Sequence, residues 1–403
     1  MRPRRWPATS GIIRGVAIPD SVSALGRLLS REEQVSDLVA FLAALDPEPL
    51  RAALDLAPGE LRVRREASLG SAGRADLLVR AGDDTALLEV KEAAAEHGDQ
   101  FASYDAWASR QTGRPVRCFV ASLDDEVAGV PGGWGRLPLP GLVGGWRNSP
   151  DPNASWLADR AASVLEQWVA EVDSSPIGAA SSRVVADLVT RKAARLLQKR
   201  TVATDASLVV RAERDSGGNA ALVAWLPHPS GLPDCWLCVG TRSTRRTPAA
   251  PWRLRLGVDV GLNRKTRALA NARTLSHQLA VDLLPALRLP SLRARLVAEG
   301  EPGLADSLSA QHDGLRAEPD LNRAEAWLEA VKVAGDGKAP THPVLFHDRG
   351  LRLAAVYTLD VTSLTLFGLV ELLTASLDYL SEASCAAPSG MSACSNGSSG
   401  RMG

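Results

Sequence analysis

The strand-like stretch "LLEVK" at residues 87–91 places two charged side chains in apolar surroundings. Side chains alternate between the two faces of a strand, so Glu89 and Lys91 point together to one face. Lysine is itself rare in this chain: only six of the 46 basic residues are Lys, and the next after Lys91 is Lys192. Because an ammonium group is a compact charge whose pKa shifts when it is buried, a lysine at this position indicates chemistry.

A further carboxylate, Asp76, opens the preceding strand. If the hairpin between the two strands closes at Gly82 to Asp84, Asp76 lies near Glu89 on the neighbouring strand. Two carboxylates and a backbone carbonyl suit a hard divalent cation such as Mg²⁺. Such a metal lowers the pKa of bound water and polarises a phosphoryl oxygen, and Lys91 could hold the water or stabilise negative charge on a phosphate. The set predicts phosphodiester hydrolysis.

Helices and strands in a definite order must position these residues. Residues 31–45 repeat apolar side chains at helical spacing, and Ser30 with Glu33 forms a capping box, which predicts a helix that begins at Ser30. A helix is also predicted from about 98 to 110, whereas the Gly- and Pro-rich residues 124–152 are predicted to form a loop or a partly ordered connection. The predicted strands of this half are "LRVRREASLG", "RADLLVRAG", "TALLEVKEA" and "RPVRCFVAS".

The segment "RADLLVRAGDDTALLEVK" resembles the core motif of the PD-(D/E)xK nuclease superfamily: an Asp, a hairpin, then Glu-x-Lys. "QFASY" on the following helix resembles the Gln-x-x-x-Tyr extension of the RecB-like members. The resemblance covers roughly residues 25 to 172. It implies an α/β, restriction-endonuclease-like core of a helix, a mixed sheet and a helix. Ala75 is a departure, because many members have a proline before the motif Asp.

The resemblance also implies roles for individual residues. Many members place a further acidic ligand on the first helix, where Glu32 and Glu33 are the candidates. We choose Glu32, because it shares the helix face of Val35 and Val39. Mg²⁺, with Mn²⁺ as an alternative, is then expected to be held by Glu32, Asp76 and Glu89. The expected catalytic residues are Asp76, Glu89, Lys91, Gln100 and Tyr104.

Each assignment has a simpler alternative. Glu89 and Lys91 could form a solvated strand face, with Asp76 as a turn residue. Gln100 and Tyr104 could serve helix packing. Glu32 could pair with a neighbouring Arg. His97 is interpreted as a surface or cap residue rather than a base. The alternative function is a catalytically retired nuclease fold that acts as a nucleic-acid-binding or regulatory module. The complete set of Asp76, Glu89 and Lys91 argues against retirement.

The second half of the chain resembles no family that we can name. We expect a nuclease-like domain over residues 1–175, an α+β domain with an antiparallel sheet over 180–382, and a disordered tail over 383–403, which is small and polar. The helical patterns of the second half lie near 181–200, 266–298, 321–333 and 362–382. Its predicted strands are "ASLVVRAER", "AALVAWLP", "CWLCVGTR", "WRLRLGVDV", "HPVLFH" and "LRLAAVYTLDV".

Charge is unevenly distributed although the net charge is zero. Residues 1–180 carry 19 basic and 25 acidic residues, 181–300 carry 20 and 8, and 301–403 carry 7 and 13. Basic side chains along a surface can neutralise the phosphates of nucleic acid. The alternative for residues 181–300 is that their basic side chains are scattered and merely solvated. We hypothesise that residues 181–300 position nucleic acid, in the first instance DNA, for cleavage.

The remaining signals exclude other classes of protein. Cys235 and Cys238 form a CxxC, but the stretch around them is strand-like and residues three apart on a strand point to opposite faces. We therefore interpret them as small hydrophobic residues rather than a zinc or redox pair. The N-terminus lacks an apolar signal-peptide region, and no stretch reaches the roughly 18 uncharged apolar residues of a membrane helix. We expect a cytoplasmic protein without a membrane partner that serves bacterial defence or DNA repair; a homodimer is left open.

Overall fold

The computed structural model describes most of the chain, which divides into two compact units. The first unit contains the described residues up to 122 together with 130–166, and the second contains 123–127 and those from 167 onward. The sequence-based boundary near 175–180 stays a prediction. The described residues are 21–91, 99–113, 115–124, 126–127, 130–202, 208–214, 218–244, 250–261, 268–310, 321–335, 337–338, 340, 345–348 and 351–386.

A mixed five-stranded sheet with flanking helices forms the first unit. The sheet order is β1-β2-β3-β4-β5; the first three strands are antiparallel, whereas β4 runs parallel to β3 and β5 parallel to β4. The strands are β1 (Leu61–Ser68), β2 (Arg74–Ala81), β3 (Asp84–Lys91), β4 (Arg117–Ser122) and β5 (Gly135–Pro138). The helices are α1 (Ser21–Leu29), α2 (Glu32–Leu45), α3 (Glu48–Ala53), α4 (Gln100–Ala108), α5 (Leu139–Gly144) and α6 (Pro152–Ser174), of which α6 continues into the second unit. The expected α/β arrangement with a mixed sheet is present.

The predicted capping box at the start of α2 is wrong. Arg31 is the N-cap, with extended backbone angles and no side-chain hydrogen bond to the helix. The Ser30 hydroxyl instead donates to the carbonyl of Arg27, in the helix before, at 2.9 Å. Two consecutive helices, α1 and α2, meet at this point, so Ser30 closes the first of them rather than opening the second. The sequence analysis did not predict α1.

The hairpin between β2 and β3 has the register that the site requires. Ala81 pairs with Asp84, which leaves a two-residue turn of Gly82 and Asp83. Gly82 has φ 57°, a conformation that glycine adopts without steric cost. A tight turn of this kind fixes the register of a hairpin. The turn at this position was correctly predicted.

Residues 124–152 contain more regular structure than the predicted loop or partly ordered connection. They include β5 and α5, which the Gly and Pro content concealed. Gly135 is required in β5, because a Cβ atom there would lie 2.4 Å from the ring of Phe119 on β4. Leu139, Val143 and Trp146 are fully buried and supply the apolar contacts of this segment.

The second unit has an antiparallel sheet with helices packed against it. The sheet order is β10-β12-β9-β8-β7-β6, and β11 also pairs with β12. Helix α7 packs on β6 and β7, α12 on β8, and α8 on β9 and β12. The strands are β6 (Val209–Arg214), β7 (Ala220–Pro227), β8 (Cys235–Ser243), β9 (Trp252–Val260), β10 (Leu308–Ala310), β11 (Phe346–Asp348) and β12 (Arg352–Leu359). The helices are α7 (Arg183–Val202), α8 (Leu269–Asp282), α9 (Leu289–Ala298), α10 (Pro302–Asp306), α11 (Leu321–Ala334) and α12 (Leu366–Ala386).

Two predicted elements of this unit differ from the structure. The helical pattern over 266–298 is two helices, because Pro285 lies between them and proline is excluded from a helix interior; Pro290 occupies the first turn of α9. The last helix continues to Ala386, beyond the predicted end near 382, and the rest of the predicted tail, 387–403, lies outside the described residues. None of the helices that the structure describes has the length and apolar character of a membrane span.

Candidate active site

The site lies where strands β2 and β3 separate. Their backbone pairing is regular up to Leu77 and Leu88. Beyond this point the N–H of Val90 donates a hydrogen bond to the Asp76 carboxylate, at 2.7 Å, instead of to a backbone carbonyl of β2. The N–H of Asp76 in turn lies 3.5 Å from Oε2 of Glu89. The end of the ladder therefore brings the two carboxylates together, as the hairpin register predicted.

Lys91 joins two of the acidic side chains. Its Nζ lies 2.9 Å from Oε1 of Glu89 and 3.5 Å from Oε2 of Glu32, at the start of α2. Lys91 and Glu89 are 7% and 2% exposed, respectively, so the ion pair is almost entirely removed from water. The interpretation of Glu89 and Lys91 as a solvated strand face is therefore wrong. We refer to Glu32, Asp76, Glu89 and Lys91 as the charged cluster.

Helix α4 contributes Gln100 and Tyr104, one turn apart. Nε2 of Gln100 donates to Oε1 of Glu89 at 2.8 Å and approaches the Tyr104 hydroxyl oxygen at 2.9 Å. The Tyr104 hydroxyl donates to the backbone carbonyl of Arg74, at the start of β2. Tyr104 is 1% exposed. The pair thus connects α4 both to the charged cluster and to the strand that carries Asp76.

Burial and mutual repulsion perturb the acids of the cluster. Burial, followed by the negative charge of Glu89, raises the pKa of Asp76 to about 7. Burial also raises the pKa of Glu89, against the opposing effect of Lys91. Burial would lower the pKa of Lys91, but Glu89 and Glu32 outweigh it, and the net shift is upward. Lys91 therefore stays protonated, whereas burial opposes the ionisation of Asp76 and Glu89.

The carboxylate oxygens of the cluster are ligands of the type that a hard cation prefers. Oε1 of Glu32 is buried and has no hydrogen-bond partner among the described residues. Asp76 and Glu89 together supply the one or two carboxylates with which Mg²⁺ is usually bound, completed by water and substrate phosphate. The described part of the chain contains no group of three or more His, Cys, Asp or Glu residues arranged to hold a metal ion. Glu32 contacts Lys91 instead, and its assignment as a metal ligand stays a prediction.

The structure brings all six predicted site residues into one contact network, although it does not test their roles. His97 lies outside the described residues. Sequence reasoning missed one contributor, the Arg74 carbonyl that accepts the Tyr104 hydroxyl. Glu66 of β1 forms an ion pair with Arg74 and has φ 48°. A positive φ in a non-glycine residue is a strained conformation that clusters at functional sites, and the sequence carries no signal for it.

The CxxC pair in the second unit has none of the features of a reactive site. Cys235 and Cys238 are free thiols on β8, and both are buried. Burial raises the pKa of Cys238 to about 12, whereas reactive thiols have a lowered pKa. The interpretation of these residues as small hydrophobic side chains is consistent with their place in the sheet.

None of three comparisons, with protein-family models, with curated proteins and with solved structures, finds a match to this chain. The geometry of the charged cluster is therefore the basis on which a function can be argued.

Proposed function

We propose that the protein is a metal-dependent nuclease that hydrolyses phosphodiester bonds of nucleic acid, with DNA as the expected substrate. The observation that carries the proposal is the contact of Asp76, Glu89 and Lys91 at the end of the β2–β3 ladder. Ionised carboxylates that are buried in such a cluster cost stability, and groups with perturbed pKa values are typical of functional sites. Bacterial defence and DNA repair are the roles that we expect for this activity.

The residues of the site and of helix α4 would divide the proposed reaction among them. Asp76 and Glu89 would hold Mg²⁺, which when bound lowers the pKa of water and polarises the phosphate. Lys91, kept protonated by its acidic neighbours, would orient the attacking water or stabilise charge that develops on the phosphate. Gln100 holds one oxygen of Glu89, so that the carboxylate keeps a single orientation. Tyr104 anchors that arrangement to β2.

The proposal is tested by cleavage of supercoiled plasmid and linear DNA with Mg²⁺ or Mn²⁺, and with EDTA as the metal-free control. We expect cleavage that requires metal and that falls by on the order of 100-fold or more in Lys91→Gln, because charge stabilisation in the transition state is lost. Lys192→Gln is the matched control, since Lys192 pairs with Asp173 on the protein surface. It should cleave like the wild type.

The other outcomes also discriminate between hypotheses. Nucleic acid that is bound but left intact by the wild type would contradict the nuclease and favour the catalytically retired binding module. Equal cleavage by the wild type and Lys91→Gln would show that the activity comes from elsewhere. The plasmid products would separate nicking of one strand from cutting of both.

A further inference from the structure

A cavity lies at the turn of the β2–β3 hairpin, on the sheet face that carries Asp76. Its volume is about 470 Å³. Arg80 follows Asp76 by four residues, and alternate side chains of a strand share a face, so the cavity lies ~13 Å from Asp76 along the strand. We refer to it as the hairpin cavity. The side chains that line it include Arg80, Asp83, Thr85, Trp107 and Gln111.

Helix α4 connects the charged cluster to the hairpin cavity. Gln100 opens the helix and donates to Glu89, whereas Trp107 lies near the other end of the helix and lines the cavity. Residues three apart on a helix share a face, so Trp107 lies on the face of Tyr104. Trp107 is half-buried, and no aromatic or cationic side chain among the described residues stacks on its ring. The cavity therefore presents an accessible aromatic ring.

The two charged side chains of the cavity are separate from each other. Arg80 and Asp83 are both exposed, and neither side chain forms an ion pair or a hydrogen bond within the described part of the chain. Thr85 is half-buried between them in the strand. The cavity thus offers one cation and one carboxylate, which suits a ligand that carries both an anionic group and N–H donors.

Exposed arginines continue from the cavity toward the charged cluster along the edge strand β1. Arg62 is the cross-strand partner of Arg80, and Arg64 lies two residues further along β1. All three point to the face of Asp76, and Arg64 is level with a position ~7 Å from Asp76 along the sheet. Arg62 pairs with Glu60, whereas Arg64 has no ion pair among the described residues. Positive charge therefore lines the interval between the cluster and the cavity.

We propose that the hairpin cavity binds one unpaired nucleotide of the substrate strand, with its base on the Trp107 ring and its phosphate at Arg80. Base–aromatic stacking accepts any base, and a guanidinium binds phosphate oxygens through two parallel hydrogen bonds. Asp83 accepts N–H donors of the base and repels phosphate, which directs the phosphate toward Arg80. The choice of nucleic acid rests on the proposed nuclease function.

The distance to the charged cluster defines which nucleotide this is. A stacked strand advances 3.4 Å per nucleotide, so ~13 Å spans at most about four nucleotides. The cavity therefore holds a nucleotide within about four positions of the phosphate that is cleaved, and Arg64 contacts the strand between the two. Because the base on Trp107 is unpaired, this part of the substrate is single-stranded.

The first test measures binding of a fluorescent eight-nucleotide single strand by anisotropy, in EDTA so that no cleavage occurs. Trp107→Leu should bind the strand roughly fivefold or more weakly than the wild type, because it loses the stacked base. Trp107→Phe keeps an aromatic ring and should retain most of the affinity. Trp156→Leu is the matched control, since Trp156 is 64% exposed on α6 of the same unit, and it should bind like the wild type.

The same assay over a range of salt concentrations tests the phosphate contacts. Arg64→Gln and Arg80→Gln should each lower the slope of log affinity against log salt by about 0.7, the value for one contact to a single strand. Arg80→Lys should retain the wild-type slope, because it keeps the charge. Arg160→Gln removes an exposed charge from α6 and should leave the slope unchanged.

Photocrosslinking of the wild type makes the result independent of folding defects. A strand that carries 5-iodouracil should crosslink on irradiation to the peptide that contains Trp107. Thermal unfolding identifies any variant that is misfolded. If crosslinks form only in other peptides, or if the folded Trp107→Leu and Arg80→Gln variants bind the strand like the wild type, the inference is wrong.

Parallel cleavage assays separate this inference from the nuclease proposal. Metal-dependent cleavage by the wild type, with unchanged strand binding in Trp107→Leu and Arg80→Gln, would overturn the nucleotide site and leave the nuclease standing. Strand binding that is lost in these variants, from a wild type that never cleaves, would support the hairpin cavity as a nucleotide site and overturn the nuclease.

Discussion

At the scale of single residues, the charged cluster is an arrangement that stability alone does not explain. The Lys91 ammonium contacts the carboxylates of Glu32 and Glu89, and Asp76 lies beside Glu89. Lys91 and Glu89 are almost entirely removed from water. Replacement of such buried ions by apolar residues is often stabilising. The cluster therefore has a cost that a bound cation would offset, because a cation favours the ionised forms of Asp76 and Glu89.

This cost predicts that Asp76→Asn stabilises the metal-free protein. The pKa of Asp76 is raised to about 7 in the folded state, so ionisation of this group opposes folding. The penalty grows from about pH 4, where the unfolded chain begins to ionise, and is complete once the pH exceeds the folded-state pKa. In EDTA at pH 8 we expect Asp76→Asn to unfold at a higher temperature than the wild type. Its free energy of unfolding should be larger by about 2 kcal/mol after allowance for solvent screening.

Mg²⁺ should reverse this order, because a ligand that binds only the folded state stabilises it, by about 2.7 kcal/mol at a hundredfold excess over Kd. The wild type should gain this stability, whereas Asp76→Asn should gain little. Asp83→Asn, in the exposed hairpin turn, changes the charge equally and should respond to Mg²⁺ like the wild type. An equal Mg²⁺ response in the wild type and Asp76→Asn would show that the metal binds elsewhere.

At the scale of elements, the contacts of α4 show how a helix keeps the strands of the site in place. The Tyr104 hydroxyl bonds to the Arg74 carbonyl two residues before Asp76. Nε2 of Gln100 contacts the same hydroxyl and Glu89. Two side chains of α4 thus tie the helix to the two carboxylate-bearing strands, Tyr104 to β2 and Gln100 to β3.

We therefore predict that Tyr104→Phe lowers both stability and cleavage. The substitution removes the hydrogen bond to the Arg74 carbonyl, which costs on the order of 1 kcal/mol of unfolding free energy, and it frees Gln100 and Glu89 to move. Tyr357→Phe is the matched control, because its buried hydroxyl donates to the Leu287 carbonyl in the second unit. It should have a similar stability cost without a loss of kcat. A loss of kcat in both variants would mean that general destabilisation, and not the anchoring of the site, explains the effect.

The same elements show how far sequence reasoning extends. The approach of Asp76 to Glu89 was predictable, because a two-residue turn fixes the hairpin register. The start of α2 was not predictable. The capping-box pattern at Ser30 fits a helix start, but the Ser30 hydroxyl donates to a carbonyl of the preceding helix α1. The bond from Tyr104 to a backbone carbonyl depends on tertiary packing and leaves no pattern in the residue types. Glycines and prolines likewise concealed β5 and α5.

At the scale of the whole molecule, the chain contains two separate hydrophobic cores. Leu42 on α2 is fully buried in the first unit, and Leu254 on β9 is fully buried in the second. The first core could be anticipated from short-range patterns, whereas the order of strands in the second sheet depends on pairings distant in sequence, such as β9 with β12. Proteins with several cores commonly depart from two-state unfolding.

We predict two calorimetric transitions, each governed by one core. Leu42→Ala should lower only one and Leu254→Ala only the other, each by about 2–5 kcal/mol, because both remove the same buried methyl groups and leave a cavity. Mg²⁺ should raise only the transition that responds to Leu42→Ala, since the charged cluster lies in that unit. A single transition that both variants lower equally would show that the two units unfold together, in which case ligand binding to either unit would stabilise the whole chain.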